Sequence, residues 1–178
     1  ALLYIITISV MDINVYSIIT CLFFSILIVV AFIDIDTLEM DIRMLILIAV
    51  LAIPSAIFSD ELTILQRVTG ALYISVPFFL IGEISGAVMK KQTGEKIRGI
   101  ELGDTILMAA SGLLIGHKSI IVAAFTGIIC AAIGGIISKA INGESKIPFG
   151  PYLSLGIVFG TLFGNRLTDW YVNMFIHY

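Results

Sequence analysis

Two acidic positions in this sequence stand at the boundaries of long apolar stretches, where charged groups are unusual. Asp34 follows the largely apolar residues 15–33, and Asp104 opens another apolar stretch after a polar, basic segment. Two carboxyl groups that come from distant helices and converge in a low-dielectric pocket can share one proton. The ionised group can then activate a water molecule while its protonated partner polarises a carbonyl group. Asp34 and Asp104 are therefore candidate catalytic residues for hydrolysis of the aspartyl-protease type, which requires neither a metal ion nor a cofactor.

Each acidic residue also has a purely structural explanation. Asp is favoured at helix N-termini, so Asp104 considered alone is better explained as a helix cap. Asp36, Glu39 and Asp41 follow Asp34 closely and are typical of a solvated loop at a membrane interface. What favours catalysis is the pairing of Asp34 with Asp104, since the two come from helices that are far apart in the sequence.

The composition indicates a membrane protein made of helices. Of the 178 residues, 59% are hydrophobic and only 13% are charged, which is too few charges to cover the surface of a soluble domain. A helix crosses the hydrocarbon with roughly 20 residues and satisfies its own backbone groups there. We predict an all-α, polytopic transmembrane helix bundle that forms a single domain over residues 1–178.

About seven helices are predicted, of which the first is short or truncated at its start. The apolar segments are 1–10, 15–33, 42–58, 68–89, 104–116, 119–141 and 151–175. The fifth is too short to span the membrane unaided, so we expect it to be tilted or partly exposed at one end. Glycines one turn apart, as at Gly156, Gly160 and Gly164, favour close packing between helices.

The basic residues predict the orientation of the bundle. When the loops are numbered alternately, one side receives seven basic residues and the other receives three. The larger group is Arg43, Lys90, Lys91, Lys96, Arg98, Lys139 and Lys146, and the smaller is Arg67, Lys118 and Arg166. Because positive residues are retained in the cytoplasm, we expect Asp34, Asp36 and Asp104 near the cytoplasmic face.

A third stretch, KIPFGPYLSLG at residues 146–156, precedes the last apolar segment. Pro148 and Pro151 prevent a continuous helix here, and Gly150 between them permits a tight turn. On physical grounds alone a rigid cap on the last helix is the favoured explanation. The alternative is that this turn forms a wall of a site near the cytoplasmic face.

Together the three stretches resemble the type IV prepilin peptidases, which are membrane aspartyl proteases with a GxGD motif. The bacterial members have an acidic motif after a long apolar helix, a GxGD before a later helix, and IPFGP near the start of the last helix. Here IDIDTLEMD, GIELGD and IPFGP occur in that order across nearly the whole chain. The resemblance implies a multi-pass peptidase of the bacterial cytoplasmic (inner) membrane, with its active site facing the cytoplasm. Its partners would be prepilin or pseudopilin substrates and membrane lipid, with no nucleic acid.

The resemblance also assigns roles to particular residues. It makes Asp34 and Asp104 the catalytic pair, and the proteolysis would use no cofactor and no metal. The residues expected to bind substrate or support the site are Asp36, Glu39, Asp41, Glu101, Gly103, Pro148 and Gly150. The four acids of this set would meet the cations of the leader peptide, which is the short basic segment that is removed.

The sequence departs from the family pattern at several positions. Glu101 stands where the first glycine of GxGD is expected, Ile106 replaces a lysine of many members, and Asp41 and Ile42 replace a Pro-Asp pair. These changes affect the loops and the substrate preference but leave both catalytic positions intact. Bacterial members usually begin with a module bearing paired CxxC motifs, and we expect this chain to start where that module would end. S-adenosylmethionine is expected as a cofactor only if the methyltransferase activity of many members is retained.

Helix dipoles suggest which aspartate is the general base and which is the general acid. Asp104 is expected at a helix N-terminus, where an anion is favoured, and Asp34 at a helix C-terminus, where an anion is disfavoured. We therefore expect Asp104 to be the ionised base and Asp34 the protonated acid.

A small transporter or proton-coupled carrier is the rival hypothesis for a polytopic protein with interfacial acids. Transporters often show internal repeats and broken helices near the midplane of the membrane. We find no repeat in this sequence, and the acids cluster at one boundary, which favours the enzyme.

Overall fold

The computed structural model describes residues 1–94, 99–142 and 148–176, and within these ranges every regular element is a helix. The elements are α1 (Leu2–Met11), α2 (Val15–Thr37), α3 (Ile42–Phe58), α4 (Ile64–Thr93), α5 (Leu102–Asn142) and α6 (Gly150–Ile176). The all-helical fold predicted from the sequence is therefore confirmed. The short first helix is also confirmed, since α1 has only 10 residues.

Side-chain caps explain where α2 and α4 begin. Asn14 accepts a hydrogen bond from the backbone N–H of Ser17, whose side chain accepts one from the backbone N–H of Asn14 in return. Thr63 and Gln66 make the same reciprocal pair at the start of α4. Each pair satisfies two backbone donors that the first turn of a helix leaves without partners, so both helix starts are set locally by the sequence.

α5 is interrupted at Gly116, whose backbone angles of φ 77° and ψ 173° are not helical. The sequence predicted a boundary here between the fifth and sixth apolar segments, and the interruption confirms it. This combination of angles is essentially restricted to glycine. A Cβ atom at this position would also lie 2.9 Å from Cδ2 of Leu62, so glycine is required for both conformation and space.

The part of α5 after Gly116 packs antiparallel to α6. A Cβ atom on Gly164 would lie 2.7 Å from Cα of Ser119, and one on Gly127 would lie 3.2 Å from Cα of Leu153. Gly156 and Gly160 likewise leave no room for a side chain against the backbone of α5. The glycine spacing in the last segment therefore brings these helices into close contact, as predicted.

The chain reverses direction at Gly116. α6 begins at Gly150, whose backbone N–H bonds to Asp34. Because the second part of α5 is antiparallel to α6, it runs from Gly116 toward Gly150. The earlier part of α5 runs away from it, starting near Asp104. We call the end that holds Asp34, Asp104 and Gly150 the aspartate end, and the end that holds Gly116 the Gly116 end.

Arg67 holds helix termini together at the Gly116 end. The sequence analysis placed it among loop charges, but it is buried in the first turn of α4 and donates hydrogen bonds to the carbonyl oxygens of Ser55 (3.0 Å) and Leu113 (3.3 Å). The Tyr16 hydroxyl donates to the carbonyl oxygen of Leu114 at 3.2 Å. The last carbonyls of a helix have no partner in the helix itself, so these side chains satisfy the ends that α3 and the first part of α5 leave open.

Three helices are long and apolar enough to cross a membrane, namely Val15–Thr37, Ile64–Gln92 and Leu102–Ile141. Many of their large apolar side chains are exposed, such as Phe79, Phe125 and Ile133. A lipid-facing surface has this property because lipid tails are as apolar as a protein core. These observations support a membrane protein.

The basic residues divide between the two ends. Arg43, Lys90, Lys91 and Lys139 lie on the turns of helices nearest the aspartate end. Arg67, Lys118 and Arg166 lie toward the Gly116 end, where Lys118 forms an ion pair of 2.6 Å with Asp169. Lys96, Arg98 and Lys146 lie outside the described residues.

Candidate active site

Asp34 lies in the last turn of α2 and is almost fully buried, with 5% of its surface exposed. Its Oδ2 atom accepts a hydrogen bond of 2.8 Å from the backbone N–H of Gly150. α2 ends shortly afterwards because Leu38 adopts a left-handed conformation (φ 56°, ψ 23°), and the Leu38 N–H donates to the Asp34 carbonyl oxygen at 2.9 Å. The end of one helix and the start of another thus fix this carboxyl group.

Asp104 lies in the first turn of α5 and is equally buried, with 4% of its surface exposed. Its Oδ2 atom accepts a hydrogen bond of 3.2 Å from the backbone N–H of Glu101. Just before Glu101, the N–H of Gly99 donates to Oγ of Ser85 in α4 at 2.9 Å. The approach to Asp104 is therefore anchored to a neighbouring helix.

The structure brings Asp34 and Asp104 together. Although α3 and α4 separate them in the sequence, Asp34 bonds to the N–H of Gly150, and one side chain, Met40, packs on both Gly150 and Gly103, the residue before Asp104. Among the hydrogen bonds of the described residues, none joins the two carboxyl groups directly.

Both carboxyl groups lie at helix N-termini, which changes the argument from helix dipoles. Asp104 is in the first turn of α5, as expected. Asp34 ends α2, but its side chain accepts from Gly150, the first residue of α6. The α6 dipole favours an anion at Asp34 and opposes the α2 dipole, which disfavours one, so the dipoles no longer assign the base and the acid.

Three of the predicted supporting residues, Gly150, Gly103 and Glu101, contact the pair or its immediate surroundings. Gly150 is buried and donates its N–H to Asp34. Gly103 precedes Asp104 and packs so closely that a Cβ atom there would lie 2.9 Å from Cβ of Met40. Pro148 is half-buried just before α6, and Glu101 contributes its backbone N–H, whereas its side chain is exposed.

The remaining predicted acids do not enter the buried site. Asp36 and Glu39 are exposed on the last turn of α2 and the loop after it. Asp41 is half-buried and caps α3, because its side chain accepts a hydrogen bond of 2.8 Å from the backbone N–H of Arg43. These acids therefore lie around the aspartate end, outside the closed pair.

Met40 is the residue of this site that the sequence analysis missed. It is half-buried in the connection between α2 and α3, and its side chain lies against both Gly103 and Gly150. It stands inside the acidic stretch that drew attention to Asp34, but an apolar residue in an acidic motif carries no chemical signal. Only the folded structure shows what it contacts.

The start of α6 is held in place by an aromatic contact. Phe149, next to Gly150, packs against Phe78 of α4 with ring centroids 6.5 Å apart. Ring pairs at this separation add to the stabilisation that burial provides. The turn with two prolines therefore packs against α4 through Phe149 and against Asp34 through Gly150.

The cavities at the Gly116 end do not coincide with the aspartates. One of about 490 Å³ is lined by Asn14, Tyr16 and Phe58 among others, and one of about 250 Å³ reaches Arg166. Within the described ranges, no three side chains of His, Cys, Asp or Glu come together as a metal site. Asp34 and Asp104 themselves are almost fully buried.

Comparison with known proteins identifies a family. A model of the type IV leader peptidase family matches residues 21–136, which is more than half of the chain. The match includes Asp34 and Asp104 and ends before α6. Comparisons with curated proteins and with solved structures find no match.

Proposed function

Since this chain belongs to the type IV leader peptidase family, we propose that it is a membrane aspartyl endopeptidase acting on prepilins or pseudopilins. It would remove their short basic leader peptide at the cytoplasmic boundary of the bacterial inner membrane. The observation that carries the proposal is that two buried carboxyl groups, Asp34 and Asp104, come from helices distant in the sequence and lie on segments that Met40 bridges.

The proposed mechanism uses the two carboxyl groups in different protonation states. The ionised one removes a proton from a water molecule, whose oxygen attacks the carbonyl carbon of the scissile peptide bond. The other donates a hydrogen bond and then its proton to the carbonyl oxygen. The tetrahedral diol then collapses: one of its hydroxyl groups returns a proton to the carboxyl group that had donated one, the C–N bond breaks, and the proton taken from water passes to the leaving amine. That Asp104 is the base and Asp34 the acid stays a prediction.

Proton transfer at this site is favoured by the surroundings of the carboxyl groups. Both are almost fully buried, so bulk water does not screen the interaction between them. Each also accepts one backbone N–H, from Gly150 or from Glu101, which fixes its orientation. Fixed groups need little reorganisation when charge develops in the transition state.

The leading test replaces each aspartate by asparagine. Because asparagine keeps the size of the side chain but cannot exchange a proton, Asp34→Asn and Asp104→Asn should each lower kcat by roughly 10²–10⁴-fold. The measurement is cleavage of a prepilin peptide by the purified protein in detergent, with the product analysed by mass spectrometry. Asp60→Asn, an exposed acid near the Gly116 end, is the matched control and should cleave normally.

The proposal fails if either variant cleaves at the rate of the unchanged protein while its thermal unfolding is also unchanged. A protein that never cleaves a prepilin peptide but moves protons or solutes across vesicles would instead support the rival carrier hypothesis.

The exposed acids at the aspartate end fit a basic leader. Asp36, Glu39, Asp41 and Glu101 would attract its cations, and such attraction between exposed charges is screened by salt. Neutralising all four with Asn or Gln should therefore raise KM more at low salt than at high salt. Asparagine at position 41 keeps the capping ability that α3 needs.

The matched control for these acids neutralises Asp60 and Glu61, which are exposed near the opposite end. It should leave KM unchanged at both salt concentrations. An equal rise in KM at low and high salt for the four-acid variant would contradict electrostatic recognition of the leader.

Methylation of the new N-terminus is a separate question for this chain. We propose proteolysis without a cofactor, and transfer of a methyl group from S-adenosylmethionine stays a prediction from the resemblance. Incubating the protein with radiolabelled S-adenosylmethionine and a cleaved pilin peptide would decide it.

A further inference from the structure

The connection between α2 and α3 is fixed at both of its ends. Leu38 closes α2 in a left-handed conformation, and Asp41 caps α3 through the N–H of Arg43. Between them, the Thr37 hydroxyl donates to the carbonyl oxygen of Glu39 at 2.9 Å. Non-glycine residues in left-handed conformations persist only where the surrounding structure holds them. The backbone of Met40, which lies in this short connection, is therefore held in one place.

The side chain of Met40 extends from one glycine of the site to the other. A Cβ atom on Gly103 would lie 2.9 Å from Cβ of Met40 and 3.3 Å from its Sδ. A Cβ atom on Gly150 would lie 2.8 Å from Cε of Met40. The base of the side chain thus packs on the backbone before α5, and its tip packs on the backbone that begins α6.

Each of these glycines is tied to one of the aspartates. Gly103 directly precedes Asp104, and the N–H of Gly150 donates to Oδ2 of Asp34. A change in the length or shape of the side chain at position 40 would therefore move the two backbone segments relative to each other. The carboxyl groups attached to those segments would move with them.

We propose that Met40 is a positioning residue that sets the separation of the Asp34 and Asp104 carboxyl groups by holding Gly103 and Gly150 apart. This inference rests on the proposed function, because the separation matters only if both carboxyl groups act on one substrate. An unbranched thioether suits the task, since it fills an irregular gap without adding a polar group. The carboxyl groups must hold the water and the peptide carbonyl within a few tenths of an ångström, and a misplacement of 1 Å can lower the rate by roughly 100-fold.

The test compares Met40→Ala and Met40→Leu in cleavage of a prepilin peptide. Alanine removes the part of the side chain that reaches Gly150, so kcat should fall by roughly 10- to 100-fold while KM changes by less than about twofold. Leucine keeps the atoms that pack on Gly103 and most of the volume but ends one atom short of Gly150, so its kcat should fall less than that of the alanine variant. A loss confined to kcat is the result that ordinary loss of packing would not give.

Met44→Ala is the matched control. Met44 is also half-buried against the core, in the first turn of α3, but the atoms nearest to a Cβ on Gly103 or Gly150 belong to Met40 and Asp34. Met44→Ala should lower the thermal stability about as much as Met40→Ala does, but it should leave kcat unchanged. If Met40→Ala does not fold, Met40→Val replaces it in the same comparison of kcat and KM. Valine keeps part of the volume but also fails to reach Gly150.

Three outcomes would overturn the inference. The first is an unchanged kcat for Met40→Ala. The second is a change in KM alone for Met40→Ala, which would make Met40 a substrate contact. The third is an equal loss of kcat for Met44→Ala. Asp34→Asn and Asp104→Asn are measured in the same experiment. If those variants stay active, the proposed function fails, whereas if they are inactive and Met40→Ala is normal, only the role of Met40 fails.

Discussion

At the scale of single residues, the backbone of Gly150 matters as much as the carboxyl group that it binds. Its N–H is the donor to Asp34, and its missing side chain leaves the space that Asp34 and Met40 fill. A Cβ atom at this position would lie 2.7 Å from Oδ2 of Asp34. The site therefore depends on a residue that takes no part in proton transfer.

Replacing Gly150 by alanine tests that dependence. Because the added methyl group must push the Asp34 carboxyl away, we expect kcat to fall by roughly 10- to 100-fold. Cleavage of a prepilin peptide measures the change. Leu155→Ala, on the exposed face of the same helix, serves as the control and should keep its activity. Normal cleavage by the Gly150 variant would show that Asp34 tolerates displacement.

The residue types of their motifs singled out Asp34, Asp104 and Gly150, and the family resemblance added Gly103. The sequence did not predict Met40, since its role depends on the two glycines that folding brings to it. Nor did it predict that the Asp34 side chain meets the start of α6. From the sequence, the effect of a helix dipole on Asp34 can be judged only for α2, which carries it, and not for α6, which its side chain contacts in the fold.

At the scale of elements, the sequence predicted the interruption of α5. It did not predict which side chains satisfy the carbonyl groups at the helix ends of the Gly116 end. Two apolar segments separated by Gly116 and a short polar stretch indicate two helices in any sequence. The use of Arg67 and Tyr16 to satisfy the freed carbonyl groups could not be foreseen, because a charge at the end of an apolar segment is ordinarily assigned to a loop. Three-dimensional contacts with Ser55 and Leu113 place Arg67 inside the bundle.

Gly116→Ala tests the interruption. An alanine here would adopt a backbone conformation that only glycine tolerates and would also press on Leu62, so we expect a loss of about 1–3 kcal/mol in the free energy of unfolding. Gly94→Ala is the matched control, since Gly94 also has positive φ (80°) but no atom within 4 Å of an added Cβ. Thermal unfolding in detergent should therefore show a smaller decrease in Tm for Gly94→Ala. Equal decreases would mean that the contact with Leu62 contributes nothing.

At the scale of the whole molecule, the bundle separates two kinds of polar surface. The aspartate end carries the closed pair, the exposed acids and the helix ends with most of the described basic residues. The Gly116 end carries the open cavities and the ion pair of Lys118 with Asp169. An alternating path of helices through a membrane produces this separation, because successive loops fall on opposite sides.

Accessibility of single cysteines tests this arrangement and its orientation. In a background where Cys21 and Cys130 are replaced by alanine, Asp60→Cys should react with a membrane-impermeant maleimide in intact cells. Glu39→Cys should react only after the cells are permeabilised, since we expect the aspartate end in the cytoplasm. The reverse result would invert the orientation, and reaction of both in intact cells would contradict the placement of these residues at opposite ends.

The burial of Arg67 has a consequence for the order in which the bundle is assembled. Its two acceptors come from α3, which is synthesised before it, and from α5, which is synthesised after it. A guanidinium group is held in hydrocarbon only at considerable expense unless such partners are present. We therefore expect Arg67 to lose its water only when α5 docks against α4. Dehydration of this one side chain would then belong to the late steps of assembly.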